Sequence, residues 1–272
     1  MTQATLKVAV AQFPGTNKIE ENKKYISELS QQAADRGVEL LVFPEAAMCS
    51  FSSDLADLQA IATEHSPAFI EFMQALAQQH SFAIVVGVLS ASEVTADERV
   101  VNQLLAIDAN GEIISRYTKV HLYDAFSFKE SDKVQPGMIY PDNRELSLFK
   151  LNDFTIGLVN CYDLRFPELS RKLAVAGADI LSLSAAWLAG PYKESHWEVL
   201  SRARAIENTC YVLACGQTGP KNIGQSMIID PMGAILAGAG EEPGLIVQTL
   251  TKERVHKVRE ILPCLENRRY HV

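Results

Sequence analysis

Twice along this chain, short apolar runs rich in Val, Ile and Leu alternate with stretches whose apolar residues recur at helical spacing. No other feature constrains the fold as much. In the first half, residues 6–12 read as a strand. An amphipathic helix is expected over 19–36, closed by Gly37, and 38–43 is a short strand ending at Pro44-Glu45. Ser66-Pro67 reads as a helix start, with a serine cap and proline in the first turn, and that helix should run to about His80. Strands follow at 82–89 and 100–107. Asp108-Ala-Asn-Gly111 is a hairpin signal, and 113–118 is the returning strand.

The second half resumes the rhythm. Strands are expected at 145–151 and 154–160, a helix at 168–176, a strand at 180–184, a helix at 193–208 and a strand at 211–216. Strands at 224–229 and 234–237 flank the turn Asp230-Pro-Met-Gly233, and a strand at 244–250 precedes a last helix at 252–261. Two βαβ-like halves with hairpins between them predict one α/β domain over 1–272, with helices laid on packed sheets. The irregular stretch 122–141 is too long for a simple connection, and such loops are often functional.

Charge and cysteine content exclude several classes. A net charge of −8 with scattered basic residues argues against nucleic acid or an anionic membrane as partner. An anionic small substrate stays open, because a few local cations override the global sign. Five cysteines at irregular spacing, without a CxxC pair, suggest neither a disulfide framework nor a zinc site. The amino terminus enters a strand-like run at once, and no apolar stretch approaches the roughly 20 residues of a membrane span. A reducing cytoplasm is expected.

Chemistry gathers at strand ends. Cys161 lies where the apolar run 154–160 hands over to a helical pattern opened by Pro167-Glu168. Such a junction suits a nucleophile with a backbone N–H beside it to receive an oxyanion. A lone cysteine is also a small buried hydrophobe. Glu45, just past a buried strand, is either a solvated loop charge or a base held at the sheet edge, and Lys119 at the end of 113–119 carries the same ambiguity. Glu130, in the long loop, reads alone as a surface charge. Taken together, Glu45, Lys119 and Cys161 supply a base, a cation and a nucleophile, the parts of acyl transfer.

Three blocks carry a resemblance. They are Phe43-Pro44-Glu45, the run Tyr117-Thr-Lys-Val-His-Leu-Tyr-Asp124, and the run Asn160-Cys-Tyr-Asp-Leu-Arg-Phe-Pro-Glu168. In this order they resemble the signature blocks of the nitrilase, or carbon–nitrogen hydrolase, superfamily. That resemblance implies a four-layer αββα sandwich and a Glu-Lys-Cys set at Glu45, Lys119 and Cys161. The superfamily's additional glutamate falls on Glu130, and the backbone N–H of Tyr162 falls at the oxyanion position.

The segments 124–131, 193–197, 222–226, 237–241 and 260–270 are similar to those of the branch of bacterial deaminated glutathione amidases. The implied activity is hydrolysis of deaminated glutathione to 2-oxoglutarate and cysteinylglycine through a Cys161 thioester, without metal or organic cofactor. Rival readings are an ω-amidase acting on 2-oxoglutaramate, a broader aliphatic amidase, and an inactive association scaffold. Carboxylates on the substrate call for nearby cations. Arg165 and Lys193 are the candidates, with His121 and His196 as neutral donors, although each also has a structural reading. Trp187 and Trp197 suit a pocket wall or the core. Cys49 is close to Glu45 in sequence, and Cys210 and Cys215 read as core. The resemblance further implies a homodimer or higher homo-oligomer, with the tail 263–272 reaching a neighbouring subunit.

Overall fold

Alternation along the first strand sorts the interior into two layers. In β1 (Thr5–Gln12), Leu6, Val8 and Val10 turn to one face while Ala9 and Ala11 turn to the other. The first set meets a second sheet and the alanines meet helices. The computed structural model describes residues 4–51, 53–92, 94 and 97–270.

In chain order the elements begin with β1, α1 (Ile19–Asp35), β2 (Leu40–Val42), α2 (Leu55–Ala60), α3 (Ser66–His80), β3 (Ala83–Ser90), β4 (Val100–Ile107) and β5 (Ile113–Thr118). Short pairs β6 (Asp124–Ala125) and β7 (Phe128–Lys129), and then β8 (Val134–Gln135), occupy the long loop. The second half holds β9 (Leu148–Leu151), β10 (Phe154–Asn160), α4 (Pro167–Val175), β11 (Ile180–Ala185), α5 (Lys193–Asn208) and β12 (Tyr211–Gly216). It ends with β13 (Met227–Ile229), β14 (Ile235–Gly238), β15 (Gly244–Thr251) and α6 (Lys252–Ile261).

One sheet runs β15-β1-β2-β3-β4-β5 with β8 beside β4, and the other runs β14-β13-β12-β11-β10-β9. Each has three parallel strands at its centre, β1-β2-β3 and β10-β11-β12, with antiparallel strands outside them, except that the short β8 lies parallel to β4. Parallel neighbours require crossovers, and the intervening helices cover the outer faces. α1 and α3 pack on the first sheet, and α4 and α5 on the second. The inner faces meet through Val8, Val10, Val42 and Leu104 on one side and Ile156, Leu158, Ile180 and Leu213 on the other. The result is the αββα sandwich that the resemblance implied. Polar stitches cross the sheet interface: Ser184 Oγ donates to the Phe43 carbonyl at 2.7 Å, and the Cys215 thiol lies 3.3 Å from the Val42 carbonyl.

The helix expected from Ser66-Pro67 to about His80 is α3, with Pro67 in its first turn, but Ser66 does not cap it. Helical backbone enters from α2 and widens through one π turn, Ile61–His65, before α3. Pro67 has no N–H to bond back into the preceding turn, so the rod widens there without ending. Residues 263–268 of the tail form a turn, with Glu266 N–H and Asn267 N–H on the Pro263 carbonyl and Arg268 Nε on the Leu265 carbonyl. The expectations for Met1–Gln3 and for His271 and Val272 lie outside the described residues.

Candidate active site

Backbone geometry delivers each reactive group. After β2, the turn holding Glu45 folds against β3: Gly87 N–H donates to the Pro44 carbonyl and Ala47 N–H to the Gly87 carbonyl. A side chain at Gly87 would stand 2.5 Å from Glu45 Cα and 2.4 Å from Ala46 N, so only glycine permits this approach. Lys119 follows β5. Cys161 follows β10 at φ +50°, in the left-handed region, and opens the 3₁₀ turn Cys161–Arg165. Glu130 opens a similar turn, Glu130–Asp132, after β7.

These four buried side chains converge on one cleft, with a cavity of roughly 210 Å³. Lys119 Nζ donates to Glu45 Oε1 at 2.8 Å and to both Glu130 oxygens at 2.9 Å. Asn102 Nδ2 adds bonds to Glu45 Oε1 (2.8 Å) and Glu130 Oε1 (3.2 Å), and its own Oδ1 receives Asn160 Nδ2 at 3.0 Å. Backbone N–H groups complete the carboxylates: Ala186 donates to Glu45 Oε2 at 2.8 Å and Tyr123 to Glu130 Oε2 at 2.6 Å. Each buried charge is therefore paired and hydrogen-bonded, which is the condition for keeping it in a dry site.

The electrostatics follow from this pairing. Burial acts against the Lys119 charge, yet the attractions of Glu130 and Glu45 exceed it and hold the ammonium well above its ordinary value. Burial likewise opposes ionisation of Glu45. The Lys119 charge and hydrogen bond prevail, with help from the Cys161 thiol and the Ala186 N–H, and leave the carboxyl below its ordinary range. Cys161 is pushed far up by burial and by the Glu45 charge, against the pull of Lys119. At neutral pH the set is thus a carboxylate, an ammonium and a protonated thiol.

The walls are aromatic and basic. Tyr123, Phe128, Tyr162, Trp187 and Phe51 line the cleft, as do Lys193 and Lys221. Lys193 Nζ donates to Tyr123 Oη at 2.6 Å and lies 3.9 Å from the centre of the Phe126 ring. None of the described carboxylates forms an ion pair with it. Burial, then the nearby Arg165 charge, lowers its affinity for a proton.

Of the residues read from sequence, Glu45, Lys119, Glu130, Cys161, Tyr162 and Lys193 come together here, with Trp187. Arg165, His121 and His196 do not line the cleft. Arg165 lies over the Trp187 ring and places Nη2 3.3 Å from His196 Nδ1, while His121 turns to Asp163 at 2.7 Å. Trp197 is buried, with Nε1 on the Gln225 carbonyl, and Cys49 is buried away from the cleft. Sequence reasoning missed Asn102, Gln217, Asn222 and Lys221. Gln217 Nε2 holds the Glu45 carbonyl at 2.8 Å, and Asn222 Nδ2 orients Gln217 Oε1 at 3.0 Å. Asn102 did leave a signal: it occupies an inward register of β4, in line with Leu104 and Ala106, where an apolar residue is the rule.

The family model "Carbon-nitrogen hydrolase" matches residues 7–260. The chain belongs to the carbon–nitrogen hydrolase family. Among curated relatives, a deaminated glutathione amidase of Escherichia coli O157:H7 is 43% identical, with 97% of each chain covered. A protein of the same name from Synechocystis is 38% identical, covering 96% of this chain and 97% of that one. Among solved structures, the C. elegans NitFhit protein superposes with a TM-score of 0.87 at 29% identity, over 99% of this chain and 66% of that chain. An amidase of the nitrilase superfamily from Nesterenkonia AN1 superposes at 0.82 over 97% of this chain and 94% of that chain. At 24% identity, it shows the fold alone. The family assignment makes the chain a carbon–nitrogen hydrolase. Among the described residues, no helix is long and apolar enough to cross a membrane.

Proposed function

We propose that the chain is a thiol amidase in which Cys161, Glu45 and Lys119 act as the catalytic set and Glu130 supports them. The observation that carries the reading is the convergence of these four buried side chains on one cleft, with Lys119 bonded to both carboxylates. Cys161 Sγ attacks the amide carbonyl carbon while its proton passes to Glu45. The oxyanion is held by the Lys119 ammonium and the backbone N–H of Tyr162, and loss of one such donor typically raises the barrier by about 3–4 kcal/mol. Glu45 returns the proton to the leaving nitrogen as the C–N bond breaks, leaving a thioester. Water then gives a proton to Glu45 and its oxygen to the acyl carbon, and the thiol is restored. Because Cys161 rests as a thiol, deprotonation accompanies attack. Glu130 keeps Lys119 charged and placed.

The name that these relatives carry, deaminated glutathione amidase, supports deaminated glutathione as the substrate, and its hydrolysis yields 2-oxoglutarate and cysteinylglycine. Lys193 and Lys221 on the cleft wall suit its carboxylates, and a cation without a carboxylate partner is the kind of group an anion engages most strongly. The five free thiols agree with a reducing compartment, and the cytoplasm is the proposed location.

Rapid-quench mass spectrometry with deaminated glutathione tests the mechanism. An acyl adduct is expected on Cys161 and no turnover in Cys161→Ala. Turnover in that variant would end the reading. Side-by-side kcat/KM values test the substrate, since a strong preference for 2-oxoglutaramate would make the chain an ω-amidase.

A further inference from the structure

Asp163 is fully buried under the turn that carries Cys161, and no step of the proposed chemistry uses it. Its carboxylate nevertheless gathers four hydrogen bonds. Tyr117 Oη (2.8 Å) and the Asn160 backbone N–H (3.3 Å) donate to Oδ2. The His121 backbone N–H (3.1 Å) and His121 Nδ1 (2.7 Å) meet Oδ1. A buried carboxylate accepts and does not donate, so Nδ1 carries the proton.

The identities of the donors matter. Tyr117 and His121 stand two residues either side of Lys119, while Asn160 and Asp163 bracket Cys161. One carboxylate therefore joins the backbone around the cation to the backbone around the thiol, across two different sheets. The joint lies where conformation is costly. Cys161 is a non-glycine residue at φ +50°, a strained conformation that persists only where surrounding contacts over-determine it. The His121 ring adds a second brace: it stacks on Phe166 at 3.8 Å and 6°, and Phe166 in turn meets Tyr162 edge-on at 5.3 Å.

We propose that Asp163 and His121 form a positioning clamp that fixes the Cys161 sulfur relative to the Lys119 ammonium. The inference rests on the reading of Cys161 as nucleophile. His121 then serves the reaction from behind the elbow and does not contact substrate.

The test exploits the two ring nitrogens. In His121→Asn the side-chain amide N–H falls near the place of Nδ1, whereas in His121→Gln it falls near Nε2. With deaminated glutathione or another hydrolysed amide, His121→Asn should keep kcat within about threefold, while His121→Gln and Asp163→Asn should lower it by about 100-fold, as a displacement near 1 Å would. KM should change little in all three. Alkylation of Cys161 by iodoacetamide, followed by peptide mass spectrometry, should change in rate in His121→Gln and not in His121→Asn. Equal losses in the two His121 variants, an effect confined to KM, or unchanged kcat in His121→Gln would overturn the clamp. Asp163→Asn removes a buried carboxylate that four donors share, so the part-exposed His121 decides the matter if that variant does not fold. The alkylation readout needs no turnover, and Cys161→Ala needs no clamp, so failure of one idea is separable from failure of the other.

Discussion

Two lysines of the same cleft live under opposite rules. Lys119, on the floor, is shared by two carboxylates and braced by Asn102, and its charge is held far beyond its ordinary range. Lys193, on the wall, is nearly as buried, yet among the described residues its ammonium meets only a phenol oxygen and aromatic faces, and its proton is held less tightly than usual. The floor has its counter-charges built in, so the ligand adds nothing to its stability. The wall lacks one, so a ligand anion can supply it.

The largest effect should come from the floor. Lys119→Met strands two buried carboxylates, so urea unfolding should show a loss of about 3–5 kcal/mol. Turnover should fall by at least about 1,000-fold, the upper end for a lost oxyanion donor. If stability is unchanged, the two lysines do not differ as described. On the wall, Lys193→Met should leave unfolding unaffected or slightly improved. It should raise KM for an anionic amide by about 10–100-fold, the equivalent of one charged hydrogen bond, and spare a neutral amide. A KM increase shared by the neutral amide would remove charge as the cause.

pH sharpens the contrast. Glu45 is held below its unfolded value, so its contribution to stability is present above the ordinary carboxylate range and lost as pH falls through the lowered value. Lys119 is held above its unfolded value, so its contribution is present below about pH 10 and lost as pH rises through the raised one. The native urea midpoint should therefore show no loss from this pair between about pH 5 and 9. The Lys119→Met variant should instead gain stability on acidification by about 1 kcal/mol or more, as its stranded carboxylates take up protons. The smallest effect concerns Cys49. Burial pushes its thiol up to about 12, so iodoacetamide at pH 8 should leave it unmodified in the folded protein, as peptide mapping would show.

Much of this was legible in the residue order. Alternation of short β-branched runs with helical spacing fixes layers, and Glu45, Lys119 and Cys161 stood out because each directly follows such a run. Glu130 was readable only through resemblance, since its short turn has no periodic signal. What stayed hidden is directional. Ala186 contributes a backbone N–H, which carries no trace in side-chain identity. Arg165 and His121 have the right chemistry, but the left-handed elbow and the Phe166 stack turn them from the cleft. Lys221 has the commonest kind of surface composition around it, and only the loop after β12 brings it to the rim. Ser66-Pro67 did mark the start of α3, and what it hid is the π turn Ile61–His65 that joins α3 to the helical backbone of α2.

The division of the site between two sheets has a kinetic corollary. Glu45 and Lys119 come from the first sheet and Cys161 from the second, with over a hundred residues between Glu45 and Cys161. Neither half of the chain carries a working set by itself. Contacts so distant in sequence form late, because loop closure must precede them. Recovery of turnover during refolding should thus trail recovery of helical signal, and the enzyme serves as its own reporter of sheet docking.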